Sequence, residues 1–342
     1  MRTGLNHPEA TFRYRNYSTL IALGLAAVSI CAIGPIIGPT PINWRTVFDR
    51  TIPFAENADA QIFFIARLPR SIAGALVGAA LASAGVVLQA LFRNPLATPF
   101  TLGVSSGASL GALLVVTIGT PLAISGLPTV ALASFAGAVG AISIVYVLAR
   151  SRRQGLSTSI LLLSGVTLNS LFSAIIMFVQ YLADYTESFQ AVRYLMGNLD
   201  VSSYTPIVWA LPLLIVAGIG FSWLPRSLNL LTLGSTGAAA RGVDVLQTQR
   251  IAFLSASLAT GAAVSLGGPI GFVGIIVPHI VRLLLGSDHR LVLPASAFAG
   301  AAFLVTCDVA ARTLMSPLEL PVGVITAILG GPFFLWLLMR TK

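Results

Sequence analysis

Few residues in this chain could do chemistry. The three histidines, His7, His279 and His289, do not stand beside another His or Cys at metal-ligand spacing. The two cysteines, Cys31 and Cys307, lie inside apolar runs and read as small buried hydrophobes, not as a disulfide or a ligand pair. The single lysine, Lys342, is the last residue, so a phosphate loop of the form GxxxxGK[ST] is absent, and the chain does not hydrolyse ATP through one. No Ser/His/Asp constellation can be assembled, which points away from an enzyme. What remains is a handful of charges in apolar surroundings. Asp308, Arg312, His279 and Arg282 could form a proton or sodium relay, because charge inside a bilayer is expensive. Asp308 and Arg312 are four apart and can pair on one helix, which accounts for Asp308 without a relay. The nearly uncharged middle argues against an ion-coupled carrier.

The elements that carry these residues follow from composition. The chain has 342 residues, 56% hydrophobic and only 9% charged, against about 25% charged in a soluble protein. So few charges cannot hydrate a surface of this size. Apolar stretches near the ~20 residues that cross ~30 Å of hydrocarbon recur from end to end. They are continuous, not alternating, and so read as helices with internally paired backbones. Ten spans are expected, at 18–38, 64–92, 96–118, 121–149, 157–183, 205–224, 249–267, 273–286, 291–314 and 320–340. The fold class is an all-α polytopic membrane protein, one transmembrane domain over 1–342. The stretch from Leu20 to Gly34 is read as an uncleaved first span, not a signal peptide. The eighth span is short and follows Gly267–Gly268–Pro269, which suggests a broken helix beside a cavity or packed protein.

The formal charge is +9. With both termini in the cytoplasm, 14 of the 20 basic residues fall inside, Arg150, Arg152 and Arg153 among them, and 6 fall outside. Charges spread over short loops argue against nucleic acid as a partner. Gly74 and Gly78, and Gly103, Gly107 and Gly111, lie four apart, a spacing that lets helix backbones approach in lipid. The loop 225–248 is moderately apolar, and Gly234, Gly237 and Gly242 punctuate a helix-like stretch at Ser235–Arg241. Its pattern suits an ordinary re-entry loop or a short helix that fits a groove on a partner.

Residues 67–111, RLPRSIAGALVGAALASAGVVLQALFRNPLATPFTLGVSSGASLG, resemble the FecCD family of ABC-importer permeases, the ferric-siderophore, haem and cobalamin permeases. So do STSILLLSGVTLNSL (157–171), YLMGNLD (194–200), GPIGFVGIIVPHIVRLLLGSDHR (268–290) and ELPVGVITAILGGPFFLWLL (319–338). The resemblance implies a type II ABC-importer permease with ten transmembrane helices in the bacterial inner membrane. Its expected partners are a second copy or a paralogous permease, two cytoplasmic ATP-binding subunits, and a periplasmic or lipid-anchored substrate-binding protein. ATP and Mg²⁺ would bind the partner subunit, and this chain would hold no cofactor and no metal.

The resemblance also assigns residues. Arg67 and Arg70 of RLPR, with Arg312, match positions that receive acidic residues of the binding protein; guanidinium groups suit carboxylates, and interface anchoring of helix ends is the plainer alternative. Asn94 and Leu96 of RNPLA, with Thr158 and Ser159, match a cytoplasmic gate; an Asn–Pro turn and a helix cap would use the same residues. Leu233, Gly234, Ser235, Thr236, Ala240, Arg241 and Gly242 match the loop that couples to the ATPase. That loop usually reads like LGEETARSLGV, and here LGSTGAAARGV lacks the acidic pair, which leaves shape and apolar fit to carry the contact. The expected function is import of a metal chelate, with ferric siderophore first and cobalamin or haem as alternatives. A stand-alone channel or ion-coupled carrier, and a membrane enzyme, are the competing classes. The pore is expected to offer Ser164, Thr167, Asn169 and Met177, which do not select among bulky ligands.

Overall fold

The computed structural model describes residues 8–118, 129–150 and 158–340, with the backbone alone at some border positions, Thr158 and Ser159 among them. Among the described residues all regular structure is helical. Ten helices among the described residues overlap the ten expected spans: α1 (Pro8–Ile33), α2 (Leu68–Phe92), α3 (Val104–Ile118), α4 (Thr129–Arg150), α5 (Thr158–Leu182), α6 (Thr205–Trp223), α7 (Val245–Gly267), α8 (Val273–Leu285), α9 (His289–Thr313) and α10 (Val322–Arg340). Seven are long and apolar enough to cross a membrane, counting α2 with the turns that lead into it (Ala58–Phe92); α3, α8 and α10 are shorter apolar helices. Residues 121–128 of the expected fourth span lie outside the described residues.

The departures from the expected spans have local causes. The third span was expected from 96, but α3 starts at Val104. Pro95 and Pro99 withhold backbone donors, a 3₁₀ turn fills Pro99–Leu102, and Gly103 ends that turn at φ +77°. The eighth span breaks as expected: Gly268 takes φ +66°, Phe272 takes φ +66°, and the 13 residues of α8 rise only about 20 Å. α7 starts four residues early because Asp244 caps it, accepting the Gln247 N–H at 2.9 Å. The gap 184–204 holds an 11-residue helix, Tyr185–Leu195, closed by a capping box between Asp184 and Glu187.

α2 is the hub. It is buried along most of its length and packs against α7, α8 and α9. Its glycines allow this. A Cβ at Gly78 would lie 2.1 Å from the Gly300 carbonyl oxygen of α9, and one at Gly85 would lie 2.1 Å from the Gly274 oxygen of α8. α3 and α4 meet the same way, Gly111 against Ala133 and Gly137 against Gly107. In lipid, where apolar side chains gain little by leaving their solvent, such backbone contact is a principal source of helix association.

Substitution should follow this geometry. Gly78→Val is expected to destabilise the chain by at least ~1–3 kcal/mol, while Gly218→Ala, with open space around it, should change stability by less than about 0.5 kcal/mol. Thermal unfolding of the two purified variants in one detergent measures the difference.

Candidate functional site

The charged residues gather at two ends of the bundle. At one end, here the arginine face, the chain enters α2 through a π turn, Ile62–Arg67. Pro69 has no N–H to give, and the Leu68 N–H reaches back to the Phe63 carbonyl. This wide turn and the first turn of α2 place Arg67 and Arg70 near the end of α9, where Asp308 and Arg312 sit. Arg70 donates from Nε to Asp308 Oδ1 at 2.8 Å and from Nη1 to Glu319 Oε2 at 2.6 Å. Arg312 Nε stands 3.4 Å from Asp308 Oδ2, and its Nη2 donates to the Gly34 carbonyl at 2.8 Å. Arg67 donates to the carbonyls of Ile36 and Thr40. A Cβ at Gly38 would fall within 2.7 Å of the Arg67 guanidinium, so a larger residue there would displace that side chain.

The three arginines are therefore brought together, but they turn inward. Arg67, Arg70 and Arg312 are 5%, 6% and 2% exposed, and Asp308 is 1% exposed. Glu319 is the open member, with its side chain 44% exposed. With Arg67, which donates to carbonyls alone, the cluster holds three guanidinium groups and two carboxylates and so keeps one positive charge in excess. Arg70 Nη2 and Arg312 Nε have no hydrogen-bond acceptor among the described residues. The Asp308–Arg312 pair was legible from its spacing. The contacts of Arg70 with Asp308 and Glu319 span 238 and 249 residues and required the fold.

At the opposite end, here the loop face, α2 closes on Arg93 in the left-handed region, φ +48°. Asn94 then accepts the Leu96 N–H at 2.9 Å, an Asx turn ahead of Pro95 and the exposed Leu96. Asn94 lines a cavity of about 330 Å³ together with Gln89, Arg93, Thr232, Arg282 and His289. The side chains of Thr158 and Ser159 lie outside the described residues. The loop itself is built as two short helices, Pro225–Leu231 and Ser235–Ala239, with Gly234 at φ +96° and Gly242 at φ +81° turning the chain between and after them. Ala238 is buried, while Leu233, Ser235, Thr236, Ala240, Arg241 and Gly242 are exposed.

Sequence reasoning missed what anchors this loop. Asn229 donates from Nδ2 to Asp288 Oδ1 at 2.6 Å, while its Oδ1 accepts the His289 N–H at 2.9 Å and lies 2.6 Å from His289 Nδ1. Asp288 also caps α9 through the Arg290 N–H at 3.0 Å. Burial alone would raise the Asp288 pKa, but the Arg290 N–H, the Asn229 amide and the neighbouring Arg290 and His289 offset it, and the carboxyl sits below its ordinary range. The one advance signal was an Asp at 288, separated only by His289 and Arg290 from an apolar run. The remaining relay candidates are held locally: Arg282 donates to Gln89 Oε1 at 2.6 Å, and His279 meets the Phe333 ring edge-on at 5.8 Å between centroids.

Removing a buried partner leaves an uncompensated charge. Asp308→Ala should therefore cost about 3–5 kcal/mol, well above the ~0–1 kcal/mol expected for the exposed pair Arg193–Asp200, whose nearest atoms are 3.4 Å apart. Unfolding midpoints of Asp308→Ala and Asp200→Ala, measured side by side, test this ordering.

Comparison with known proteins identifies the family over nearly the whole length of the chain. The FecCD transport family matches residues 15–340. The cobalamin import system permease protein BtuC of Halobacterium salinarum is 38% identical over 356 residues, covering 93% of this chain and 94% of that protein. The hemin transport system permease protein HmuU of Yersinia pestis is 37% identical over 326 residues, covering 93% and 94%. Among solved structures, an inward-facing conformation of an ABC transporter of provisionally metal-chelate type superposes with a TM-score of 0.78 at 31% identity, over 95% of this chain and 99% of that one. The buried arginine cluster, the exposed loop and the ten apolar helices thus belong to a multi-pass membrane permease, and the chain is a member of the FecCD transport family.

Proposed function

We propose that this chain is the membrane-spanning subunit of an ABC importer that carries a bulky metal chelate inward by alternating access. The arginine face is outside and the loop face is in the cytoplasm, with both termini on the cytoplasmic side. The chain works as one of two copies, or beside a paralogous permease, with two ATP-binding subunits below and a substrate-binding protein above. ATP and Mg²⁺ are held by the partner subunits, and this chain holds no cofactor of its own. Ferric siderophore is the cargo we place first. Cobalamin and haem, the cargoes in the relatives' names, are the alternatives.

The observation that carries this reading is the loop face. A helix of five residues, flanked by two glycines in the left-handed region, stands exposed beside a firmly anchored stem. Leu233 and Arg241 flank it and are open to contact. Buried Ala238 seats this short helix on the body of the chain, which leaves its exposed side and flanks free to enter a groove on a partner. Ser235 and Thr236 make this contact one of shape and apolar fit. At the arginine face, the docking role of Arg67, Arg70 and Arg312 takes an indirect form. The excess positive charge attracts a carboxylate of the binding protein, which competes with the exposed Glu319 for Arg70.

The test is binding-protein-stimulated ATP hydrolysis, with the chain and its ATPase co-purified in lipid discs. Leu233→Glu with Arg241→Glu should abolish co-purification and leave the unfolding midpoint unchanged. Glu319→Gln should tighten the binding protein about twofold to fivefold, since it removes one negative charge from the cluster. Association of the ATPase with the loop variant would sink the coupling role. Weaker or unchanged docking in Glu319→Gln would sink the docking role.

A further inference from the structure

Along the second half of α5 lies a cavity of about 420 Å³, bounded by α3, α5, Phe100, Leu195 and Pro269 in the break between α7 and α8. Ser105, Ser106 and Ser109 of α3 and Asn169, Ser173 and Gln180 of α5 bring hydroxyl and amide groups to its lining, and no lining residue is charged. The spacing explains the convergence. Residues 169, 173 and 180 fall on one stripe of α5, and residues 105, 106 and 109 on one side of α3. Asn169 is held in place: its Oδ1 accepts the Ser106 hydroxyl at 2.5 Å and its Nδ2 donates to the Phe100 carbonyl at 2.7 Å.

Other groups are left open. Ser105 is 2% exposed, and its hydroxyl has no hydrogen-bond partner among the described residues. A buried hydroxyl without a partner costs free energy that a bound polar group would return. A volume of this size lies in the lower half of the range for small-molecule sites, about 300–1,000 Å³, so it takes an arm of a bulky chelate and not the whole. A charged arm would lose its water and find no countercharge in the lining. The neighbouring helix break is the kind of feature that accompanies substrate sites near the middle of a membrane.

We propose that this cavity is a contact site for the transported chelate, taking an uncharged hydrogen-bonding arm such as an amide or hydroxyl and disfavouring a carboxylate. The inference rests on the importer reading. Within that reading it favours a neutral hydroxamate or an amide-rimmed corrinoid over haem, whose rim carries carboxylates.

The test uses the assembled importer in proteoliposomes, with binding proteins loaded with a neutral ferric trihydroxamate, cyanocobalamin or haem. For a neutral chelate that the wild type carries, the Ser173→Val, Gln180→Leu double variant should move at least fivefold less chelate per ATP hydrolysed. Ser173→Thr with Gln180→Asn should recover most of the ratio. Ser170→Ala, on the exposed side of α5, should keep it. A ratio within twofold of wild type in the double variant overturns the site. If the wild type itself shows no stimulated hydrolysis with any cargo, the importer reading fails, and the cavity is judged on the chain alone. There, maleimide labelling of Ser173→Cys, in a Cys31→Ser background, should be slowed at least threefold by cyanocobalamin or the ferric trihydroxamate and not by haem. Equal labelling rates with and without the neutral chelates, or protection by haem alone, overturn it.

Discussion

Asp308 stands between two arginines in a place where water cannot help any of them. A lone carboxylate at 1% exposure would be intolerable. Held by Arg70 from α2 and by Arg312 on its own helix, it fixes where the end of α9 lies against the start of α2. Halfway along, Gly78 and Gly300 bring the two backbones so close that neither position accepts a Cβ. At the far end of α2, Gln89 donates to the Gly274 carbonyl and accepts from Arg282, which fixes α2 against α8. α2 and α9 therefore cannot slide past one another without leaving a buried charge unpaired or driving backbone into backbone. The other helices are arranged around this locked pair.

The same pair joins the two faces. α9 begins at the Asp288 cap, where Asn229 ties it to the stem of the exposed loop, and ends at the arginine cluster. A force applied to the loop reaches the base of α9 through three hydrogen-bond contacts of one asparagine. On the proposed alternating-access reading, motion that opens one face and closes the other falls to helices less firmly held. The break between α7 and α8, the 3₁₀ turn before α3 and the largely exposed α5 supply the places where it can occur.

Much of this was legible in advance, and the exceptions have physical reasons. Continuous apolar runs located the helices because lipid permits few alternatives. Capping and turn residues then moved their ends: Asp244 extended α7, and Pro95, Pro99 and Gly103 shortened α3. The helix Tyr185–Leu195 went unread, because its capping box, Asp184 and Glu187, lies in a segment too polar to read as a span. On the site, residue spacing revealed Asp308–Arg312 because four residues make one helical turn. It could not reveal Arg70–Asp308, Asn229–His289 or the glycine contacts across α2, α8 and α9, which are set by tertiary packing over long separations. The resemblance pointed to Arg67, Arg70 and Arg312, but it did not disclose that all three are buried against partners of their own chain.

The most direct measurement of this account is a pair of spin-label distances in the assembled complex, with Cys31 and Cys307 replaced. Labels at Arg93 and Leu314 span the locked α2–α9 pair, and labels at Leu314 and Tyr181 relate α9 to the far end of α5. Between the nucleotide-free and ATP-trapped states the first distance should stay constant, while the second should shift by several ångströms, on the order of the helix displacements seen in switching proteins. A shift in the Arg93–Leu314 distance with the α5 distance unchanged would show that the pair taken here as fixed is the part that moves.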